Sequence, residues 1–468
     1  MLFTTTIFLF VFLPAVLLIY YNPLVKNRTF RNIFLLLVSI GFYAWGEPVC
    51  VLVLLMSMCV NWALGLLVDR YRDSKGIKAL LALNVAYNLG VLFVFKYLNF
   101  TVNNMNHFLR QPISIQNIAL PIGISFYTFQ AMSYVIDVYK GNGKAQKNPL
   151  DVGLYIALFP QLLAGPIVRY ETVARQIHNR RETLNGFYAG IMRFLFGFGK
   201  KILLCNTMAL GADACFGRIA EGSLPFATAW LGTIFYSLQI LFDFSGYSDM
   251  AIGLGKMFGF DFPENFNYPY IARNITDFWR RWHISLSTWF RDYVYIPLGG
   301  SRVDSQARRI LNLLAVWLLT GIWHGANWTF ILWGLMYFVV LTVEKTTGFD
   351  KKLGAFSPVY TLLVVFVGWT VFRADNLTLA LRYVGNLFGI GCAGFIDGAF
   401  FLYLREYGVY LILAVLACIP WKEVCRKYLD TQKTWMQILY HLFAFAVFGL
   451  SVIYMIKGTY NPFIYFNF

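Results

Sequence analysis

Two histidines carry most of the chemistry this chain can offer. His324 sits in Ile310–Val343, ILNLLAVWLLTGIWHGANWTFILWGLMYFVVLTV, a run of 34 residues without a formal charge. An ionisable side chain at membrane depth is costly and marks a site with a purpose. Gly321, Gly325 and Asn327 bracket it, which predicts that the helix breaks there. Broken helix inside a bilayer survives only where protein or a water-filled cavity covers the freed backbone groups. A neutral imidazole facing such a cavity suits a general base. A histidine hydrogen-bonded between packed helices fits the same residues.

His283 belongs to Asn274–Arg291, NITDFWRRWHISLSTWFR. Asn274 is expected to cap a helix whose third position is Asp277, with Asp277 and Arg281 paired one turn apart. Trp279, Trp282, His283, Leu286 and Phe290 then share one face, and Arg280, Arg281 and Ser287 the other. This describes one amphipathic helix at the cytoplasmic interface with His283 pointing inward; an interfacial Trp/Arg anchor is the alternative. Neither H-x-x-x-H nor H-E-x-x-H occurs, so spacing gives no metal site.

Other polar residues interrupt apolar sequence. In FDFSGYSDMAIG, Asp243, Ser245, Tyr247 and Asp249 either line an aqueous cavity or tie helices together at a break near Gly246. LPIGISFYTFQAMSYVIDVYKG has the same character: Pro121 and Gly123 break it, and Gln130 and Asp137 are its polar members. LFPQLLAGPIVRY, with Pro160, Gly165 and Pro166, suits a re-entrant turn better than a straight span.

The elements that must position these groups are transmembrane helices. The 468 residues are 58% hydrophobic and only 13% charged, too few charges to cover a soluble surface. Apolar runs recur along the whole length, which gives an all-α polytopic membrane protein. The runs are continuous rather than alternating, which excludes a β-barrel. About eleven or twelve crossings are expected, with re-entrant and interfacial helices between them, in one domain spanning residues 1–468. The net charge of +16 would suggest nucleic acid in a soluble protein. Here the bases cluster in short loops (Arg70–Lys78, Arg169–Arg181, Arg273–Arg309, Lys422–Lys433), the positive-inside pattern of a chain in a lipid bilayer with no nucleic-acid partner. Lys26, Arg28 and Arg31 follow an uncleaved first span, and the last span, Trp435–Ile456, follows a basic loop. Both termini are therefore expected outside, with an even number of crossings. The seven cysteines form no C-x-x-C and suggest neither zinc nor a disulfide framework.

Taken together, NLGVLFVFKYLNF (88–100), LPIGISFYTFQAMSYVIDVYKG (120–141), FPQLLAGPIVRY (159–170), FDFSGYSDMAIGLGKMFGFDFPENFNYPY (242–270), FWRRWHISLSTWFRDYVYIPLGG (278–300) and LLTGIWHGANWTFILWGL (318–335) resemble the membrane-bound O-acyltransferase superfamily. The nearest branch is the bacterial one that includes alginate O-acetyltransferase. The resemblance implies a ring of helices around a thin centre, with the histidine-bearing core at about residues 225–345. It makes His324 the essential catalytic histidine and His283 the second.

The activity so implied is O-acetylation of an exported or cell-surface polysaccharide from a cytosolic thioester. Acetyl-CoA would be the donor substrate, with no bound cofactor or metal. Trp323, Asn327 and the backbone at Gly325 are candidate oxyanion donors. Arg273, Arg280 and Arg281, with Lys200 and Lys201, are candidates to draw the donor's phosphates, although membrane topology explains such bases equally well. The aromatic tail 461–468 resembles that of the acetyltransferase branches. There Tyr465 is a candidate acyl relay or an interfacial anchor. An extracytoplasmic esterase-like partner of the SGNH type is implied. D-Alanyl transfer to teichoic acid from a carrier protein and, in another class, a lipid or glycan transporter are the competing readings. The absence of internal repeats argues against the transporter.

Overall fold

The structure, a computed structural model, describes every residue except Val25, Asn117, Leu429, Thr431, Gln432, Thr459 and 465–468. Tyr465 therefore lies outside the described residues. Among the described residues there is no strand. Among the described residues, eight helical segments are long and apolar enough, by length and composition, to cross a membrane. The chain is a multi-pass helical membrane protein. It divides into two compact units, residues 1–194 with 250–263, and residues 195–249 with 264–468.

The helices that matter below are α1 (Arg28–Gly46), α2 (Val51–Arg70), α3 (Ile77–Leu92), α4 (Ile124–Lys140), α5 (Leu184–Gly199), α6 (Asn206–Glu221) and α7 (Phe226–Met257). They continue as α8 (Ile275–Arg281), α9 (Ile284–Phe290), α10 (Gln306–His324), α11 (Trp328–Thr347), α12 (Ser357–Arg373) and α13 (Leu377–Leu387).

In the first unit, polar side chains join helices whose apolar surfaces alone would not fix a register. Asn61 of α2 meets Asn84 and Asn88 of α3, with amide hydrogen bonds of 2.9 Å from each to its carbonyl oxygen. Interhelical bonds of this kind hold transmembrane helices together where lipid is as apolar as the partner helix. Gly65 lets α2 approach α4: a Cβ there would stand 2.5 Å from the Tyr134 ring. The buried Arg180 guanidinium donates to Asn32 Oδ1 at 2.7 Å and to the Tyr20 hydroxyl at 3.0 Å. Beside it, Glu182 pairs with Arg28. Burial opposes ionisation of Glu182, but hydrogen bonds from Arg28 and Tyr20 overcome it and hold its carboxyl at about 2. As expected, Gly123 ends the segment before α4; its φ of 77° and a hypothetical Cβ 2.7 Å from the Leu162 carbonyl require glycine. Gln130 and Asp137 are buried on α4 in this unit.

In the second unit, α7 corrects one expectation. The helix is continuous through Gly246 rather than broken there. Gly246 serves close packing: a Cβ would lie 2.9 Å from the Gly197 carbonyl of α5. Between α5 and α6 the helix widens into a π turn at Lys200–Cys205. The expected break at His324 is present. α10 ends on His324, Gly325 is extended (φ −174°, ψ 161°), and Asn327 caps α11 by accepting from Thr329 N–H. Gly321 is not part of that break. It faces Gly334 where α10 crosses α11; Cβ atoms would meet the Phe330 carbonyl at 2.5 Å and the Trp317 carbonyl at 2.4 Å.

Candidate active site

The site is best built from the segment that carries His283. Asn274 caps α8 as expected, its side chain accepting from Asp277 N–H at 2.7 Å. Asp277 in turn pairs with Arg281 at 2.9 Å, one turn on. The single amphipathic helix expected over 274–291 does not form. Trp282 turns extended, and His283 adopts φ 45°, ψ 52°, before α9 begins. That conformation is left-handed and costs a non-glycine residue about 1–2 kcal/mol. Only Tyr268 shares it among the described non-glycine residues.

The cause is a distant residue, Asn265. Its backbone carbonyl accepts from Ile284 N–H at 2.9 Å. Its side-chain oxygen accepts from Ser285 N–H at 3.1 Å and from Ser285 Oγ at 2.9 Å. The 265 strap thus replaces the helical bonds that Ile284 and Ser285 would otherwise make. The split turns His283 inward between Phe244 and Phe266, with ring centroids 6.5 and 6.0 Å away.

His324 reaches the same interior from α10. Its ring has three aromatic neighbours in edge-to-face contact: Trp323 at 5.0 Å, Trp333 of α11 at 5.1 Å and Phe372 of α12 at 5.1 Å. Trp323 also lies 6.2 Å from His283. Both imidazoles therefore contact one indole. His283 is 3% and His324 8% exposed, so bulk water is largely excluded from both. Burial drives the His283 pKa down to about 3, keeping it neutral through the physiological range. A neutral imidazole can accept a proton, as a general base must; an imidazolium cannot.

Around these rings stand further aromatic residues, of which the sequence places only Trp279 on the His283 face. Trp279 packs on Trp333 at 5.5 Å and on Tyr337 at 4.9 Å. The Nε1 of Trp279, the Nε1 of Trp333 and the hydroxyl of Tyr337 are buried and have no hydrogen-bond partner among the described residues. Buried donors of this sort call for an acceptor such as a carbonyl oxygen or water. Their only sequence signal is tryptophan and tyrosine spacing on helices already read as core.

The remaining expected site residues fall into distinct roles. Trp323 belongs to the site. Asn327 holds backbone at the break: besides capping Thr329, its Nδ2 donates to the Asp375 carbonyl at 2.8 Å. Asp243 and Asp249 on α7 are each ion-paired, to Lys201 and Lys200 respectively, both at 2.7 Å. Lys201, 2% exposed, is thus an internal cation rather than a surface charge open to phosphates. Tyr247 is buried beside Phe463, 5.3 Å between ring centroids. Arg273 and Arg280 are exposed, and Arg281 is held by Asp277. Gln130 belongs to the first unit, where neither end of its side-chain amide has a partner among the described residues. No group of three or more His, Cys, Asp or Glu side chains that could hold a metal occurs among the described residues.

Residues 146–350 match the family model of the membrane-bound O-acyltransferases, a segment containing both histidines. The chain is 39% identical to the probable alginate O-acetylase AlgI of Pseudomonas putida, covering 100% of both proteins. It is 32% identical to the peptidoglycan O-acetyltransferase of Helicobacter pylori over 100% of the chain and 98% of that protein. It is 34% identical to the teichoic acid D-alanyltransferase of Bacillus subtilis, over 47% of the chain and 58% of that protein. The chain belongs to the membrane-bound O-acyltransferase family, in its alginate O-acetyltransferase-like branch, and is an O-acyltransferase.

Proposed function

We propose that the protein moves an acetyl group from cytosolic acetyl-CoA, a substrate and not a bound cofactor, to a hydroxyl destined for an exported or cell-surface polysaccharide. The observation that supports the reading is the pair of buried histidines that both contact the Trp323 indole in an aromatic interior. The acceptor hydroxyl is a poor nucleophile while it keeps its proton. His324 removes its proton as the oxygen attacks the thioester carbonyl. The tetrahedral intermediate collapses with cleavage of the carbon–sulfur bond, and the proton passes from His324 to the departing thiolate. The developing oxyanion needs donors, and the N–H groups of Trp323 and Trp333 are suitably close to His324 for that duty. Arg273, Arg280 and Arg281 are the exposed or part-exposed bases available to the donor's phosphates.

In this reading the protein lies in the cell membrane with both termini outside. Tyr465 receives the acetyl group from the His324 centre and hands it to an extracytoplasmic esterase-like partner, which completes transfer to the glycan. Acetyl transfer is preferred to D-alanyl transfer because the relatives named for O-acetylation align over the whole chain, whereas the D-alanyltransferase aligns over less than half.

The test is release of free CoA from acetyl-CoA by purified protein in nanodiscs, with wild type compared against His324→Ala. Release that disappears with His324 supports the reading. Undiminished release from the variant refutes His324 as the base. No release from folded wild type, even with the esterase-like partner added, refutes acetyl-CoA as donor.

A further inference from the structure

The mechanism leaves a buried charge pair unused. Lys201, in the π turn at Lys200–Cys205, and Asp243 of α7 are 2.7 Å apart, with side chains 2% and 0% exposed. Such a pair is a weak source of stability, because removing both ions from water offsets most of their attraction. A buried pair persists where its remaining hydrogen-bonding capacity is needed.

Here that capacity is used by the end of the chain. Asp243 Oδ2 accepts from the backbone N–H of Ile464 at 2.9 Å. Lys201 Nζ donates to the backbone carbonyl of Pro462. Its ammonium also lies 5.8 Å from the centre of the Phe463 ring, which packs against Tyr247. Phe463 and Ile464 are only 5% and 6% exposed, and Ile464 joins the core that includes Tyr236 and Phe244. Upstream, Asn206 Nδ2 reaches Asn461 Oδ1 at 3.4 Å, and Tyr460 donates to Asp213. A chain end is normally the least ordered part of a fold unless something ties it down. Pro462 limits the conformations the free segment would have to give up on docking.

We infer that Lys201 and Asp243 are positioning residues whose role is to latch the C-terminal segment 460–464 inside the histidine-bearing unit, so that the residues after it are presented for acyl transfer. The charges grip backbone rather than side chains: one oxygen takes an N–H and the ammonium gives to a C=O two residues earlier. The grip therefore sets the direction and depth of the segment. The part concerning transfer rests on the proposed relay through the tail; the latch itself does not.

The experiment replaces both partners together, Lys201→Met/Asp243→Leu, because removing one alone would leave a buried unpaired charge and risk misfolding. Hydrogen exchange of the C-terminal peptide is followed in nanodiscs without substrate. The expected result is exchange at least about tenfold faster in the double variant than in wild type, since exchange tracks local opening. Equal exchange overturns the latch. Acetyl transfer to the glycan acceptor, with the partner present, is expected to fall at least tenfold; undiminished transfer with a released tail overturns the positioning role. A chain ending at Asn461 guards against a folding artefact. If the pair acts through the tail, adding the double substitution to this truncation reduces transfer no further than truncation alone. An additional loss would mean that the pair acts elsewhere. Because exchange is read without turnover, failure of the acetyl-CoA reading leaves the latch result standing.

Discussion

The rings of His283 and Trp323 stand 6.2 Å apart, nearly perpendicular, and Trp323 also meets His324 at 5.0 Å. Trp323 thus contacts both imidazoles, and a role as spacer between them is testable. Trp323→Phe should keep an aromatic wall with less width and no N–H, whereas Trp323→Ala should open a cavity beside both histidines. Misplacing reacting groups by about 1 Å can cost about a hundredfold. The alanine variant should therefore lose about that much turnover and the phenylalanine variant less. Steady-state CoA release from equal amounts of monodisperse protein checks the order; equal rates in the two variants would contradict the spacer role.

The backbone at His283 yields a prediction that separates stability from activity. At φ 45° any side chain with a Cβ is strained, and glycine is not. His283→Gly should be more stable than His283→Ala by about 1 kcal/mol, the order of the left-handed penalty. Both should be equally defective in turnover, since both lack the imidazole. Thermal unfolding in detergent measures the first difference and thioester cleavage the second.

Local chemistry explains which parts of this site can be read from sequence. The break after His324 needs only Gly325 and the capping Asn327, all within four residues. The Asn274 cap and the Asp277–Arg281 pair are likewise determined within one or two turns. The split of the expected helix at His283 depends on Asn265, eighteen positions earlier, and no periodicity rule carries that information. The same holds for Gly246: a glycine among polar residues reads as a break, yet here it admits the Gly197 carbonyl of a separate helix. Asp243 is recognisable as an unusual acid in an apolar run. Its partners, Lys201 and Ile464, are 42 and 221 positions away, so the role follows only from the fold.

Acid should affect stability through His283 in a defined window. Its folded pKa is depressed by burial from 6.5 to about 3. Between those values the unfolded chain binds the proton and the folded protein does not, so stability rises with pH there. Above pH 6.5 both states are neutral and no penalty arises; as pH falls from there towards 3 the folded state is progressively disfavoured. His283→Asn should flatten the upper part of this dependence. Glu182, held at about 2, acts in the same direction but only below its ordinary value of 4.5. Unfolding temperature measured from pH 7.5 to 5 separates the two; an unchanged slope in His283→Asn would show that His283 is not buried as described.

The crossing of α10 and α11 is the most sensitive point remote from the reacting groups. Gly321 and Gly334 bring the two backbones together just behind His324, and each would place a Cβ within 2.5 Å of a carbonyl on the opposite helix. A carbonyl cannot rotate away as a side-chain end can, so the helices must separate. Separation moves Trp333 away from His324, a contact now at 5.1 Å. Gly334→Ala is expected to destabilise by about 1–3 kcal/mol, the usual cost of overpacking, and to lower turnover about tenfold or more through the displaced ring. Gly408→Ala is the control: its Cβ would meet only the Leu404 side chain at 3.7 Å. Unfolding temperature and CoA release measured on both variants should separate them clearly, and a Gly334→Ala protein indistinguishable from the control would refute the close crossing.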